Sequence, residues 1–176
     1  MKITKEYIST RYETILLELA DIIPIEKWSV PPKGLGYTTK KTAYGLATPD
    51  GDVLINELFL DTTATTKLDM VIRHEFSHMA IGLHHHHNKR FRRVESLFGV
   101  DHSIDIEEEL KQINLKINFK YTLLAHLEDG AVIDIGGVHR KTKRYTEYKR
   151  GYMSIKGVAI DHFEFIENSV SLNADI

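Results

Sequence analysis

The chain contains no cysteine. That excludes disulfides, cysteine nucleophiles and thiolate metal sites together. It also agrees with a reducing compartment. No apolar run approaches the ~18 residues that mark a membrane span. The N-terminal stretch Met1-Lys2-Ile3-Thr4-Lys5-Glu6 leads into scattered charges rather than the roughly 7–15-residue apolar core of a signal peptide. A cytoplasmic, non-secreted protein without a membrane partner is therefore expected. An excess of positive charge is missing too: the net charge is -2. That argues against a globally basic nucleic-acid binder and leaves room for a local basic patch. Internal repeats and low-complexity tracts are absent, apart from four histidines, His84 to His87.

What remains is ordinary globular composition. The chain has 176 residues, 42% hydrophobic and 27% charged, enough to bury a core without covalent staples. Ile8, Tyr12, Ile15, Leu16, Leu19, Ile22 and Ile23 recur at helical spacing and predict a helix from about Thr4 to Asp21. Trp28 to Gly36 holds two prolines and two glycines and reads as a loop. Tyr37 to Ala47 has strand-like content broken near Lys40-Lys41. Pro49-Asp50-Gly51 reads as a turn and Val53-Leu54-Ile55 as a short strand, together suggesting a small antiparallel sheet. Leu68, Val71, Ile72, Phe76, Met79 and Ala80 form an apolar helical stripe ending near Gly82. A further helix is predicted from Asn88 to Phe98, with Gly99 as its stop.

The texture changes after Gly99. Asp105 to Leu110 predicts a turn or two of helix, and the alternation Leu115, Ile117, Phe119, Tyr121 predicts a strand. Asp129-Gly130, Gly136-Gly137, Gly151 and Gly157 punctuate more strands. A boundary near residue 100 would divide a mixed domain, 1–100, from a β-rich region, 101–176.

The chemistry concentrates in His74-Glu75-Phe76-Ser77-His78. Residues i and i+4 lie one above the other on a helix, so His74 and His78 can offer two imidazoles to one ion. Zinc takes neutral histidine nitrogens and, in catalytic sites, leaves a position open for water. Glu75 lies beside the first ligand, placed to take a proton from that water as it attacks a carbonyl. A bland alternative is a surface helix carrying two histidines by chance, but the apolar stripe shows that this helix is half-buried. A third ligand is needed, and His84, His85, His86 and His87 all compete. His84 has the right separation from His78 for one class of zinc peptidases, although Gly82 falls one place late for that pattern. His87 immediately precedes a predicted helix anchored by Phe91.

With His87-Asn88-Lys89-Arg90-Phe91 and Leu97-Phe98-Gly99 added, the sequence resembles the SprT-like zinc metallopeptidases over roughly residues 5–100. Those enzymes pair a helical H-E-x-x-H with a later H-G-x-x-F/W and a downstream glycine. Asn88 stands where the family has its glycine. Ala43 to Ala47 and Val53 to Asn56 resemble the family's paired strands. The resemblance implies an α+β, zincin-like fold of the minimal gluzincin type, with His74, His78 and His87 as Zn2+ ligands and Glu75 as catalytic base. It implies a protein or peptide substrate, with proteins associated with DNA as the suggested class. It also suggests a C-terminal zinc ribbon, here without cysteines: Tyr152 to Gly157 sits where a metal knuckle would stand.

The stretch from His139 to Arg150 carries six basic residues and one acidic residue. Arg140, Lys141, Lys143 and Arg144 are candidate phosphate contacts, and Tyr145 and Tyr148 candidate stacking platforms for single-stranded DNA. A solvated hairpin with its charges in water is the simpler reading. His126, His139 and His162 are read as ordinary histidines rather than a second metal site. Two functions compete: a zinc metalloendopeptidase, and a catalytically weak or inactive metal-holding module that binds DNA or protein. The intact Glu75 favours the first, because holding metal needs no base.

Overall fold

A computed structural model of the chain describes residues 1–168. They form two compact units, divided between Ile117 and Asn118. The fold is α+β, and among the described residues no helix is long and apolar enough to cross a membrane.

The first unit opens with α1, Lys5–Ile22. The Thr4 hydroxyl accepts from the Tyr7 backbone N–H at 3.1 Å and caps it. Ile8, Tyr12, Ile15 and Leu19 form its buried stripe. Three strands follow: β1 (Gly34–Thr38), β2 (Gly45–Ala47) and β3 (Asp52–Asn56). The sheet is mixed rather than antiparallel throughout. Its order is β1-β3-β2, with β3 parallel to β1 and antiparallel to β2. The chain leaves β1, passes the place that β3 later fills, and returns through the tight turn at Gly51 (φ 100°). Asn56 secures that crossing. Its buried amide donates to the carbonyls of Lys40 and Ala43, both at 2.8 Å, and its backbone N–H donates to Tyr44 at 2.9 Å.

β1 begins inside the predicted loop, at Gly34, and runs into the strand-like stretch that starts at Tyr37. Gly34 and Gly36 carry little strand propensity, but Gly36 sits close against its neighbour: a Cβ there would stand 2.6 Å from the Leu54 side chain across the pair.

The centre of this unit is α2, Thr65–Ile81. Leu68, Val71, Ile72, Phe76, Met79 and Ala80 join the core, as the stripe predicted. Arg11 of α1 grips Asp69 of α2 through two hydrogen bonds, 3.0 and 2.7 Å. Gly82, at φ 101°, ends the helix and donates its N–H to His78. α3 runs Lys89–Leu97 and α4 runs Glu107–Asn114.

α4 moves the expected boundary from residue 100 to 117. α2 begins without a side-chain cap of its own. Glu109 of α4 supplies one, accepting from the Thr66 and Lys67 backbone N–H groups at 3.2 and 2.7 Å. A carboxylate there also suits the positive end of the helix dipole. Gln112 accepts from Thr63, and Ile113 enters the same core. The acidic stretch thus completes the first unit. The strand predicted over 115–121 is not formed: Leu115 is exposed, and pairing starts only at Tyr121.

The second unit holds β4 (Tyr121–Leu127), β5 (Val132–Val138), the short α5 (Lys143–Thr146), β6 (Ser154–Ile155) and β7 (Val158–Glu167). All pairings are antiparallel, in the order β5-β4-β7-β6. Ala125, Leu127 and Ile160 form its small core. Where a knuckle was looked for, the chain makes a tight hairpin through Lys156 and Gly157, both at positive φ. The end of the expected C-terminal region, 169–176, lies outside the described residues.

If Asn56 holds the strand crossing, Asn56→Ala should lower the unfolding free energy by about 1–3 kcal/mol, since it removes a buried amide that bonds two carbonyls at once. Urea denaturation followed by circular dichroism measures this. An unchanged midpoint would show that the crossing is held by other contacts.

Candidate metal centre

His74 and His78 occupy one face of α2, one turn apart. The turn after Gly82 sends the chain back over that face, with His86 at φ 46°, and His87 arrives just ahead of α3. Asn88 then caps α3, its side-chain oxygen accepting from Arg90 and Phe91 backbone N–H groups at 3.0 and 3.1 Å. This explains asparagine in place of the expected glycine: the side chain fixes where the helix starts, and so where His87 stands. Phe91, fully buried, packs its ring against His74, His78 and His87 at centroid distances of 4.9, 4.2 and 5.0 Å.

His87 Nε2 lies 3.2 Å from His78 Nε2 and 3.2 Å from His74 Nε2. A single imidazole nitrogen carries at most one proton, so a hydrogen bond to both neighbours does not explain the convergence. A shared ion does. Zinc holds histidine nitrogens at about 2.0–2.1 Å, and tetrahedral geometry then sets two such nitrogens roughly 3.3 Å apart. The donor set fits a metal ion. Among the described residues these three form the only group of histidines and carboxylates so placed.

Electrostatics favour the neutral rings that ligation requires. Burial pushes the His78 imidazolium down to about 4, helped by its neighbours His74 and His87. Burial likewise lowers His74, more than Glu95 raises it.

Glu75 faces the same cleft from the neighbouring helical position. Only 6% of the residue is exposed. Burial pushes its carboxyl up to about 7, with the Ala47 backbone N–H pulling the other way. Gly45 of β2 makes this approach possible: a Cβ there would stand 2.6 Å from Val71 and 3.1 Å from Glu75. The cleft measures about 390 Å³ and is walled by Tyr44 to Leu46 on one side and by α2 on the other.

His84, His85 and His86 do not join the cluster. The His84 and His85 rings lie against each other, tilted, at 4.1 Å, and Asn88 and Arg90 lie against His85. Of Arg73, Tyr37 and Tyr44, the candidate oxyanion-stabilising side chains near the motif, only Tyr44 lines the cleft. Arg73 instead pairs with Glu18 and donates to the Phe98 carbonyl, and the Tyr37 hydroxyl donates to the Lys5 carbonyl.

Three cleft residues were not foreseen. Lys67 places its ammonium 5.0 Å from the Tyr44 ring centroid, and burial lowers its pKa. Its place two turns before His74 on one helical face was the available signal. Glu95 and His102 also reach the site. Glu95 was readable only as one more charge on α3, and nothing in the spacing marked His102.

In the second unit the basic stretch divides. Arg140, Lys141, Lys143 and Arg144 are exposed. Lys141 sits over the Tyr121 and Phe165 rings at 5.1 and 5.6 Å. The Tyr145 ring packs on Phe163 at 4.8 Å. Tyr148 serves the core: its hydroxyl accepts from Met153 N–H at 3.0 Å and donates to the Ile160 carbonyl at 3.1 Å. His126 and His162 stack at 4.2 Å, each against a carboxylate, while His139 lies on Phe119.

Searches against family models, curated proteins and solved structures return no match. The site is therefore read from its own geometry.

The geometry makes the third ligand testable. His74→Ala and His87→Ala should each abolish stoichiometric zinc retention after dialysis, and His84→Ala should leave it near one ion per chain. Elemental analysis decides. Loss of zinc in His84→Ala with retention in His87→Ala would reassign the ligand.

Proposed function

We propose that this protein is a zinc-dependent metalloendopeptidase with a zincin-like first unit, related to the SprT-like enzymes. One observation carries the reading: three histidine Nε2 atoms converge beside a buried glutamate in a cleft of about 390 Å³. His74, His78 and His87 would hold the ion. Bound zinc would supply Lewis acidity, making a water acidic and polarising a substrate carbonyl.

The chain's own groups do the rest. Glu75 accepts the proton of the attacking water and returns it to the leaving amine. A carboxyl raised to about 7 by burial can do both near neutral pH. β2 lies at the sheet edge and walls the cleft, so the substrate backbone can align beside it. Tyr44 beside β2 and Lys67 on α2 supply polar groups from the two walls. The metal-holding module without catalysis is the competing reading; the burial of Glu75 within the cleft disfavours it, since a purely structural site gains nothing from a desolvated carboxyl there.

Glu75→Gln should retain zinc and lose about 10²–10⁴-fold in hydrolysis, the usual contribution of a positioned base. Cleavage of an unstructured protein such as casein, measured beside metal content, checks it. Zinc-loaded Glu75→Gln working at the wild-type rate would remove Glu75 from the mechanism. Zinc-loaded wild type that cleaves nothing would favour the binding-module reading.

DNA-associated proteins are the proposed substrates, with Arg140, Lys141, Lys143 and Arg144 contacting phosphates. The second unit is proposed to be a ribbon-like element stabilised by apolar packing instead of metal. Replacing those four residues by alanine should weaken single-stranded DNA binding and flatten its dependence on salt. Fluorescence anisotropy across a salt series measures both. No binding by the wild type at low salt would leave these cations as solubilising surface.

A further inference from the structure

Helix α3 is rich in charge, and all but one of its charged side chains face solvent. The exception is Glu95, one helical turn beyond Phe91, with 5% of the residue exposed. A carboxylate buried to that degree is costly unless its oxygens are satisfied. Both are. Oε1 lies 2.6 Å from His74 Nδ1, and Oε2 lies 3.2 Å from His102 Nε2.

The 2.6 Å contact has a direction. An ionised carboxylate only accepts, so the proton on this bond belongs to His74 Nδ1. A neutral imidazole with its proton on Nδ1 has its lone pair on Nε2. That is the atom 3.2 Å from His87 Nε2, inside the candidate metal cluster. Among the described residues, neither His78 nor His87 has a carboxylate partner on its other nitrogen. His74 is thus the one ring of the three whose tautomer and swivel are set by a charged group.

We propose that Glu95 is a positioning residue for the metal centre: it accepts from His74 Nδ1, holds that ring in the tautomer that presents Nε2, and is itself held by His102. This deepens the metallopeptidase reading and rests on it for the identity of the ion. Glu95 touches no substrate. It acts through His74, with Phe91 against the ring and His102 steadying the second oxygen.

A tether between α3 and α2 with no influence on the ligand is the competing account, and two measurements separate them. The first needs no metal. Long-range proton–nitrogen NMR on metal-free full-length protein at neutral pH reads the His74 tautomer directly. Wild type should carry the proton on Nδ1. Glu95→Ala should shift His74 toward the Nε2-protonated form that free histidine prefers. Glu95→Gln, whose amide oxygen can still accept, should restore the Nδ1 proton. The second is zinc affinity by chelator competition. Glu95→Ala should bind zinc about 10–100-fold more weakly, and Glu95→Gln should recover part of the loss. Should Glu95→Ala not fold, Glu95→Gln still carries the test, because a pure tether predicts wild-type affinity for it.

Wild-type His74 protonated on Nε2 would overturn the proposal. So would wild-type zinc affinity in a folded Glu95→Ala. Wild type that takes up no zinc is a different outcome: it would overturn the metal reading itself, whatever the tautomer of His74.

Discussion

The burial of α2 is the constraint on which the first unit depends. This helix must be apolar enough to sit inside the core and still open one stripe of polar side chains to a cleft. Phe76 shows the first requirement: its ring meets Tyr12 at 5.1 Å and Trp28 at 5.6 Å. His74 and His78 show the second, facing the returning chain rather than the core. The elements around α2 then follow as ways to satisfy its ends and sides. Glu109 caps its start, Gly82 turns the chain at its end, Arg11 locks its flank, and Gly45 lets a strand edge approach the face that carries Glu75.

Local patterns in the sequence were legible where the physics is local. The i, i+4 pair, the apolar stripe and the extent of α3 each depend on residues within a turn or two of one another. The start of β1 was not legible, because Gly34 to Gly36 become strand by pairing with β3, which spacing along the chain does not show. The boundary at 100 failed for the same kind of reason. The role of α4 lies in Glu109 meeting the backbone of α2, more than 40 residues earlier. Glu95 and His102 were missed alike: a buried carboxylate on a basic helix reads as a surface charge until its partners are known.

The two carboxylates of the centre illustrate how environment divides identical chemistry. Glu75 is buried against β2 with one backbone N–H for company, and its carboxyl is pushed up to about 7. Glu95 is also penalised by burial, but hydrogen bonds from His74 and His102 outweigh that and hold it below the usual glutamate range. One group is left poised between its two protonation states; the other is kept ionised. Carboxylates driven apart in this way take different roles.

That division also explains why the two cannot exchange places. A proton acceptor must release what it takes, so strong donors around it would defeat it. Glu75, the base in the proposed reaction, has no side-chain partner among the described residues. A carboxylate that orients a ligand has the opposite need: it must stay charged and still, with each oxygen engaged. His102 matters here although it is largely exposed, because it occupies the oxygen that His74 does not. If Glu95 had only His74, its second oxygen would lie buried with nothing to accept from, and the cost of that vacancy would weigh against the bond that fixes the ligand. The exposed histidine stabilises the buried acid, and the buried acid in turn engages His74.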